Sequence, residues 1–534
     1  MMEDLRNLAD PNESPFFPLL SKRILHRHLD EGWPGLLRRI VDASEKAEML
    51  YDESDKDEYI IKLRKTLENS EFLPNSPLMV NISEDKKKIF ACFALDARKP
   101  INEFLNVARQ VHDGMGGVGY TLNHLKAPGE IKNFIQLFDK DTEEHQSGRP
   151  RPASNAVTVS INNPGFIGIL QQAGKTKVTN LNVGIPDSFM EKVRRSDSEA
   201  LEKFNMVAES IHRTGQPAIL FTDRVPNVAL EENAPIAANV CGESPLAADE
   251  SGLLGSLNLV KFIRSNETDL SFDFEKFIET VRIGVRFLDG MHDIHYHSSP
   301  QLKKNTLSTR KIGVGLMGYA HLLILLGIRY GSEESIRLAE EIGKALMQGA
   351  QEESTRLAYK RGVYPAALSN NINREKKRNA LLVAIAQTST LSLLVNTSSG
   401  IEPINGYLTK QNILDDTIYI LDPILAYTVQ KLGLNPDDVK NLLLGGIELS
   451  NVIGEKLAYL FPRALDIKPE EHIEVQAAFQ KSIDGGISKT LNCSFSTNVE
   501  EIKQWIQLGH EKGLIGFMIY RDNSLKSQPI EVIK

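Results

Sequence analysis

Leucine and isoleucine recur at three-to-four spacing, with charges between them, across LLSKRILHRHLDEGWPGLLRRIVDASEKAEML. The chain is therefore expected to be helical from about residue 17 to residue 71. Asn75-Ser76-Pro77 breaks that pattern. Beyond it the periods alternate. The apolar run KKIFACFALDA predicts a strand, and INEFLNVARQVHDGMGG predicts a helix that ends in glycines. ASNAVTVSI and VTNLNVGI predict two more strands. A long helix follows in SFMEKVRRSDSEALEKFNMVAESIHRTG, then a strand in PAILFTD. NALLVAIA has the character of an apolar helix. EEIKQWIQLGHEKG predicts a late amphipathic helix, and GFMIYRD a last strand. Strands alternating with long helices point to parallel βαβ units. No linker, repeat or low-complexity run interrupts them, so one large α/β domain is expected.

Composition narrows the function classes. The chain has 534 residues, 41% of them hydrophobic, which is ample for a large core. Its formal net charge of -8 leaves no basic footprint for nucleic acid or an anionic membrane surface. No apolar run approaches the roughly 20 residues of a membrane helix. The start, MMEDLRNLADPNESPFF, lacks the apolar core of a signal peptide. Three scattered cysteines form no disulfide framework, so a reducing, cytoplasmic setting is expected. HExxH and CxxC are absent. The densest histidine group, His292, His295 and His297 in MHDIHYHSS, reads as a polar helix end, and no metal site is expected.

Candidate chemistry concentrates in NVCGE. Alternating residues of an extended segment face the same way, so Asn239, Cys241 and Glu243 could line one face. A glutamate moves protons, an asparagine orients hydroxyl or carbonyl oxygens, and a cysteine serves as nucleophile or hydrogen-atom shuttle. The competing reading is a small buried cysteine in a loop, with Glu243 as a helix cap. Cys92, inside IFACFAL, reads first as core packing. Gln387, Thr388, Ser389 and Thr390 could hold a phosphate if a helix starts there, or could be a simple cap.

Taken together, NSPLMV, ACF, NVCGE with LLGSLNLV, RKIGVGLMGYAHLLILLGIRYGSEE, SSGIEP, HIEVQAAFQKSIDGGISKT and GFMIYRD resemble, in order, the ribonucleotide reductases of the adenosylcobalamin-dependent class (class II). The resemblance covers residues 72 to 522. It implies a ten-stranded α/β barrel at residues 71–500 with a central finger loop, after an N-terminal helical region at 1–70 and before a helix, strand and short tail at 501–534. By position it makes Cys241 the thiyl-radical cysteine that takes the ribose 3′ hydrogen. It makes Glu243 the base at the 3′ hydroxyl and Asn239 the residue that holds the substrate hydroxyls. Cys92 becomes one of two reducing cysteines. Ser76 and Gln387, Thr388, Ser389 and Thr390 become phosphate-binding elements. Cys493 is a candidate extra thiol, expected near Cys241, with a small apolar substitute as its plainer reading. The implied cofactor is adenosylcobalamin. The implied partners are a ribonucleotide and an external reductant, a thiol or formate, without nucleic acid or membrane; a homodimer is one assembly open to it.

The sequence also departs from the resemblance. Gly252 stands where the second reducing cysteine is expected. A dithiol delivers two electrons by closing a disulfide, which Cys92 alone cannot do. The final residues carry no cysteine pair. The segment after Leu125 is short where a glycine-rich specificity loop is expected, and QSGRPRPASNAV replaces a segment rich in glycine and arginine. Gln387 and Ser389 replace a proline and a glycine, and the N-terminal region is short for an ATP-sensing domain. Three readings follow: a divergent reductase making 2′-deoxyribonucleotides, a radical paralogue that isomerises or dehydrates a nucleotide or sugar-nucleotide, and a non-catalytic nucleotide-binding barrel.

Overall fold

The computed structural model describes residues 31–145, 152–225, 236–266, 269–369, 376–413, 416–524 and 530–532, with Ser14, Phe17, Leu20, Ile24 and Leu25 ahead of them. In the expected N-terminal helical region the described residues include the helices Gly32–Glu48 and Lys56–Glu68, with Phe17, Leu20, Ile24 and Leu25 also helical; most of residues 1–30, the segment 146–151 and part of the final tail lie outside the described residues. The break between the helices has an electrostatic reason. Glu48, Glu53 and Asp55 turn toward Arg286, and Glu48 and Glu53 also pair with Arg361, which is fully buried. Buried carboxylates and guanidiniums hold this region on the helix Phe274–Ile294, since neither sign can be buried without the other.

Five strands form a parallel half-sheet in chain order: β2 (Cys92–Ala94), β3 (Gly117–Thr121), β4 (Asn155–Ser160), β5 (Thr179–Ile185) and β6 (Ala218–Phe221). β1 (Phe72–Pro74) lies antiparallel on β9 (Glu250–Asn258). β9 runs parallel to β10 (Ile312–Met317). Val314 of β10 bridges Val383, Ile385 bridges Ile487, and the chain continues into β11 (Thr490–Cys493), which is parallel to β12 (Gly516–Arg521). Antiparallel seams join the halves where β2 meets β9 and where β12 meets β6. The result is a closed ring of two parallel five-stranded halves with helices outside, the ten-stranded α/β barrel.

Two expectations change. Residues 381–385 of NALLVAIA are not helical; they are fully buried and bridge β10 as a barrel segment. A short apolar run cannot distinguish a strand buried on both faces from a buried helix. The barrel also does not stop near residue 500, because β12 forms one of its two seams. Among the described residues no helix is long and apolar enough to cross a membrane.

Candidate active site

Inside the ring stands a two-stranded hairpin, β7 (Ile236–Ala238) against β8 (Pro245–Ala247), which pairs with no barrel strand. Residues 239–244 close it. Asn239 N donates to Ser244 O at 3.1 Å and Gly242 N donates to Asn239 O at 3.1 Å. Gly242 takes φ +82, a left-handed conformation that glycine adopts without strain. NVCGE is therefore a tight turn, not the extended segment expected from alternation, and its side chains meet by folding back.

They meet closely. Asn239 Nδ2 donates to Glu243 Oε1 at 2.8 Å and to Cys92 Sγ at 3.0 Å, while Asn239 Oδ1 accepts from Ser244 N at 3.0 Å. Cys92 Sγ lies 4.0 Å from Glu243 Oε1. Asn239, Glu243 and Cys92 are all buried, whereas Cys241 is half-buried at the tip. A Cβ built on Gly242 would meet nothing within 4 Å, so open space adjoins the finger at Gly242.

The barrel wall holds the turn from two sides. Asn180 of β5 donates to Val240 O at 3.1 Å, and Gly486 N donates to Glu243 O at 2.8 Å. A Cβ on Gly486 would sit 2.7 Å from Gly242 O, so only glycine admits the finger there. Behind it, half-buried Asp484 accepts from the backbone N–H of Leu382 and Val383, and desolvation pushes its carboxyl up to about 6.

Cys92 is directly opposite Gly252 across the β2–β9 seam. A Cβ on Gly252 would lie 3.3 Å from Ser244 Oγ and 3.6 Å from Leu246 Cδ2. A side chain at position 252 would therefore sit beside Ser244, across the seam from Cys92.

The remaining candidates separate. Asn75 caps the six-residue helix Ser76–Asn81, leaving Ser76 half-buried in its first turn. A helix does start at Ser389, running to Leu394. Thr388 is buried and staples SSGIEP, its Oγ1 accepting from Gly400 N at 2.9 Å and its N–H donating to Ser399 Oγ. Gln387 and Ser389 stay exposed and Thr390 half-buried. Cys493 packs in the large core and donates to Tyr520 O at 3.6 Å, whereas Cys92 belongs to a separate small cluster with Ala91, Ala94, Leu246, Leu254 and Ala384. Burial pushes the Cys493 thiol up to about 11, away from the thiolate form. The expectation that Cys493 joins the reactive thiols gains no support from this placement; strand alternation turns it with Leu491 into the core.

His292, His295 and His297 gather around Phe90. Burial lowers His292 to about 3 and His297 to about 4, so they stay neutral. Among the described residues no group of three or more His, Cys, Asp or Glu is arranged to hold a metal ion. Asn180, Ser244 and Gly486 were not singled out from the sequence. Only the paired glycines in SIDGGISKT carried a visible signal, since adjacent glycines admit a close backbone.

The chain is similar to known proteins. The ribonucleotide reductase barrel domain matches residues 197–367 and 365–520. A vitamin B12-dependent ribonucleoside-diphosphate reductase of Thermoplasma acidophilum is 29% identical over 89% of this chain and 66% of its own length. One of Mycobacterium tuberculosis is 28% identical over 94% of this chain and 78% of its own. The fold is similar to that of the class Id ribonucleotide reductase alpha subunit of Actinobacillus ureae, with a TM-score of 0.75 and 21% identity over 91% of this chain and 94% of that one. The matched stretches include β9 to β12, which are the second half of the barrel with both its seams. The chain belongs to the ribonucleotide reductase barrel-domain family.

Proposed function

We propose that the chain is a ribonucleotide reductase that forms a thiyl radical on Cys241 and makes 2′-deoxyribonucleotides. The observation that carries this is the turn at the finger tip, where Asn239 joins Glu243 and Cys92 in one buried hydrogen-bonded group behind a half-buried thiol. The Cys241 radical takes the 3′ hydrogen. Glu243 removes the 3′ hydroxyl proton, a role its proximity to Asn239 and Cys92 supports. Asn239 orients the substrate hydroxyls. The 2′ hydroxyl leaves as water, and Cys92 supplies hydrogen at that carbon. With Gly252 opposite Cys92, the second reducing equivalent comes from an external thiol or formate. Ser76 and the exposed first turn at Ser389 offer N–H and hydroxyl groups to the phosphates.

The radical source proposed is adenosylcobalamin, by likeness to the two vitamin B12-dependent relatives. The half-buried Cys241 at the finger tip, with open space beside the neighbouring Gly242, leaves that group room to approach the thiol. When bound, that cofactor supplies the one-electron chemistry that turns the Cys241 thiol into a thiyl.

The test is full-length protein with adenosylcobalamin and each ribonucleoside di- and triphosphate, with dithiothreitol or formate. Deoxynucleotide formation that vanishes in Cys241→Ala is the expected result. A nucleotide product that keeps its 2′ hydroxyl, or activity that survives Cys241→Ala, overturns the proposal.

A further inference from the structure

An isolated two-stranded hairpin is marginal in water, and β7–β8 makes no ladder with the barrel. Something other than sheet pairing must fix the turn that carries Cys241 and Glu243. Asn180 and Gly486 hold the turn itself; the return strand has its own tether. Lys311, the residue just before β10, donates from Nζ to Pro245 O at 3.1 Å and to Glu250 Oε2 at 2.8 Å. The same Glu250 oxygen accepts from Ala247 N at 2.6 Å, and Oε1 accepts from the Thr309 hydroxyl. The two side chains are 4% and 0% exposed. One buried ion pair thus grips both ends of β8, the three residues that follow Ser244. Glu250 lies two residues before Gly252 on β9, on the same face, and opposite Ala94 as Gly252 is opposite Cys92.

The structure assigns Lys311 and Glu250 as positioning residues: a clamp that sets the height of the finger turn over Cys92. A buried pair holds geometry because each charge loses its stabilisation when the other moves, and here the remaining valences go to the backbone of β8. The inference rests on the finger being the reactive loop, but its test needs no turnover.

The three cysteines report it. Full-length protein without nucleotide is treated with iodoacetamide and followed by peptide mass at Cys92, Cys241 and Cys493. Lys311→Met/Glu250→Gln removes both charges together, so that no lone buried ion confuses the fold. Cys92 should be alkylated about tenfold faster in this variant, because local opening of the finger uncovers it, while Cys493 keeps its wild-type rate. Lys311→Arg, which retains the cation, should restore Cys92 protection. In turnover, kcat should fall with KM for the nucleotide unchanged, since the clamp lies behind the finger and away from its open tip. Cys92 and Cys493 rising together would mean general loosening and overturn the clamp, as would no change at Cys92. A labelling pattern as expected in a protein that makes no deoxynucleotide would uphold the clamp and refute the reductase reading separately.

Discussion

Gly252→Cys is the sharpest perturbation the barrel offers. Cys92 and Gly252 are direct partners in an antiparallel pair, so their Cα atoms are about 4.5–5.5 Å apart. That lies inside the window a disulfide accepts. The new Cβ would meet Ser244 Oγ at 3.3 Å, Leu246 Cδ2 at 3.6 Å and Lys311 O at 3.8 Å. Only the first is tight, and a hydroxyl can rotate away. Gly252 does not occupy the left-handed region, so the backbone tolerates a side chain. The variant should fold, and oxidation should link Cys92 to the introduced thiol. Closing a loop of roughly 160 residues would stabilise the oxidised form by up to about 5 kcal/mol in the chain-entropy account. One dithiol holds two electrons. Pre-reduced Gly252→Cys given cofactor and nucleotide, with no external reductant, should therefore yield about one deoxynucleotide per chain and end as the disulfide. The native chain should yield none under the same conditions. Product and disulfide are counted by chromatography and peptide mass. A folded variant that forms no disulfide would refute the seam register; a disulfide formed by added oxidant, but never by turnover, would refute Cys92 as the reductant.

Further outcomes follow from the same geometry. Glu243→Gln keeps an acceptor for Asn239 but cannot take a proton, so product formation should fall by about 10²–10⁴-fold with little change in melting temperature. Asn239→Ala strips partners from Glu243, Cys92 and Ser244 N, and should cost about 1–3 kcal/mol in denaturant unfolding. Gly486→Ala should displace the finger and abolish product while the barrel still unfolds cooperatively, because the new methyl would lie 2.7 Å from Gly242 O. Stability should fall on acidification. The folded-state values of His292 and His297 lie below the usual value of 6.5, so the unfolded chain takes up protons that the folded chain refuses. Their effect is absent above that value and grows as pH drops below it, with His292 alone costing about 2 kcal/mol by pH 5. Replacing His292 with a neutral isostere, such as glutamine, should flatten the slope in urea titrations between pH 7 and pH 5.

The amino-acid sequence by itself determined the alternation of strand and helix, and with it the α/β class. Parallel strands buried on both faces need apolar runs, and amphipathic helices need a three-to-four period. It also placed Asn239, Cys241 and Glu243 within five residues, while Gly252 stands out as the position of an expected second thiol only through the family resemblance. It misjudged how the three side chains meet. Alternation suggested an extended face, but Gly242 at φ +82 makes a turn, and a left-handed residue leaves no periodic trace. NALLVAIA was ambiguous for the same local reason, because burial on both faces removes the period that separates strand from helix. What only the tertiary structure decided is long-range. Cys92 comes to Asn239 across 147 positions, Lys311 reaches Pro245 across 66, and β12 closes on β6 near the far end of the chain. Such contacts depend on ring closure, which no local window contains. Closure also assigns the two candidate thiols to different surroundings, Cys92 beside the finger and Cys493 in the large core, though each is a buried residue of a short strand.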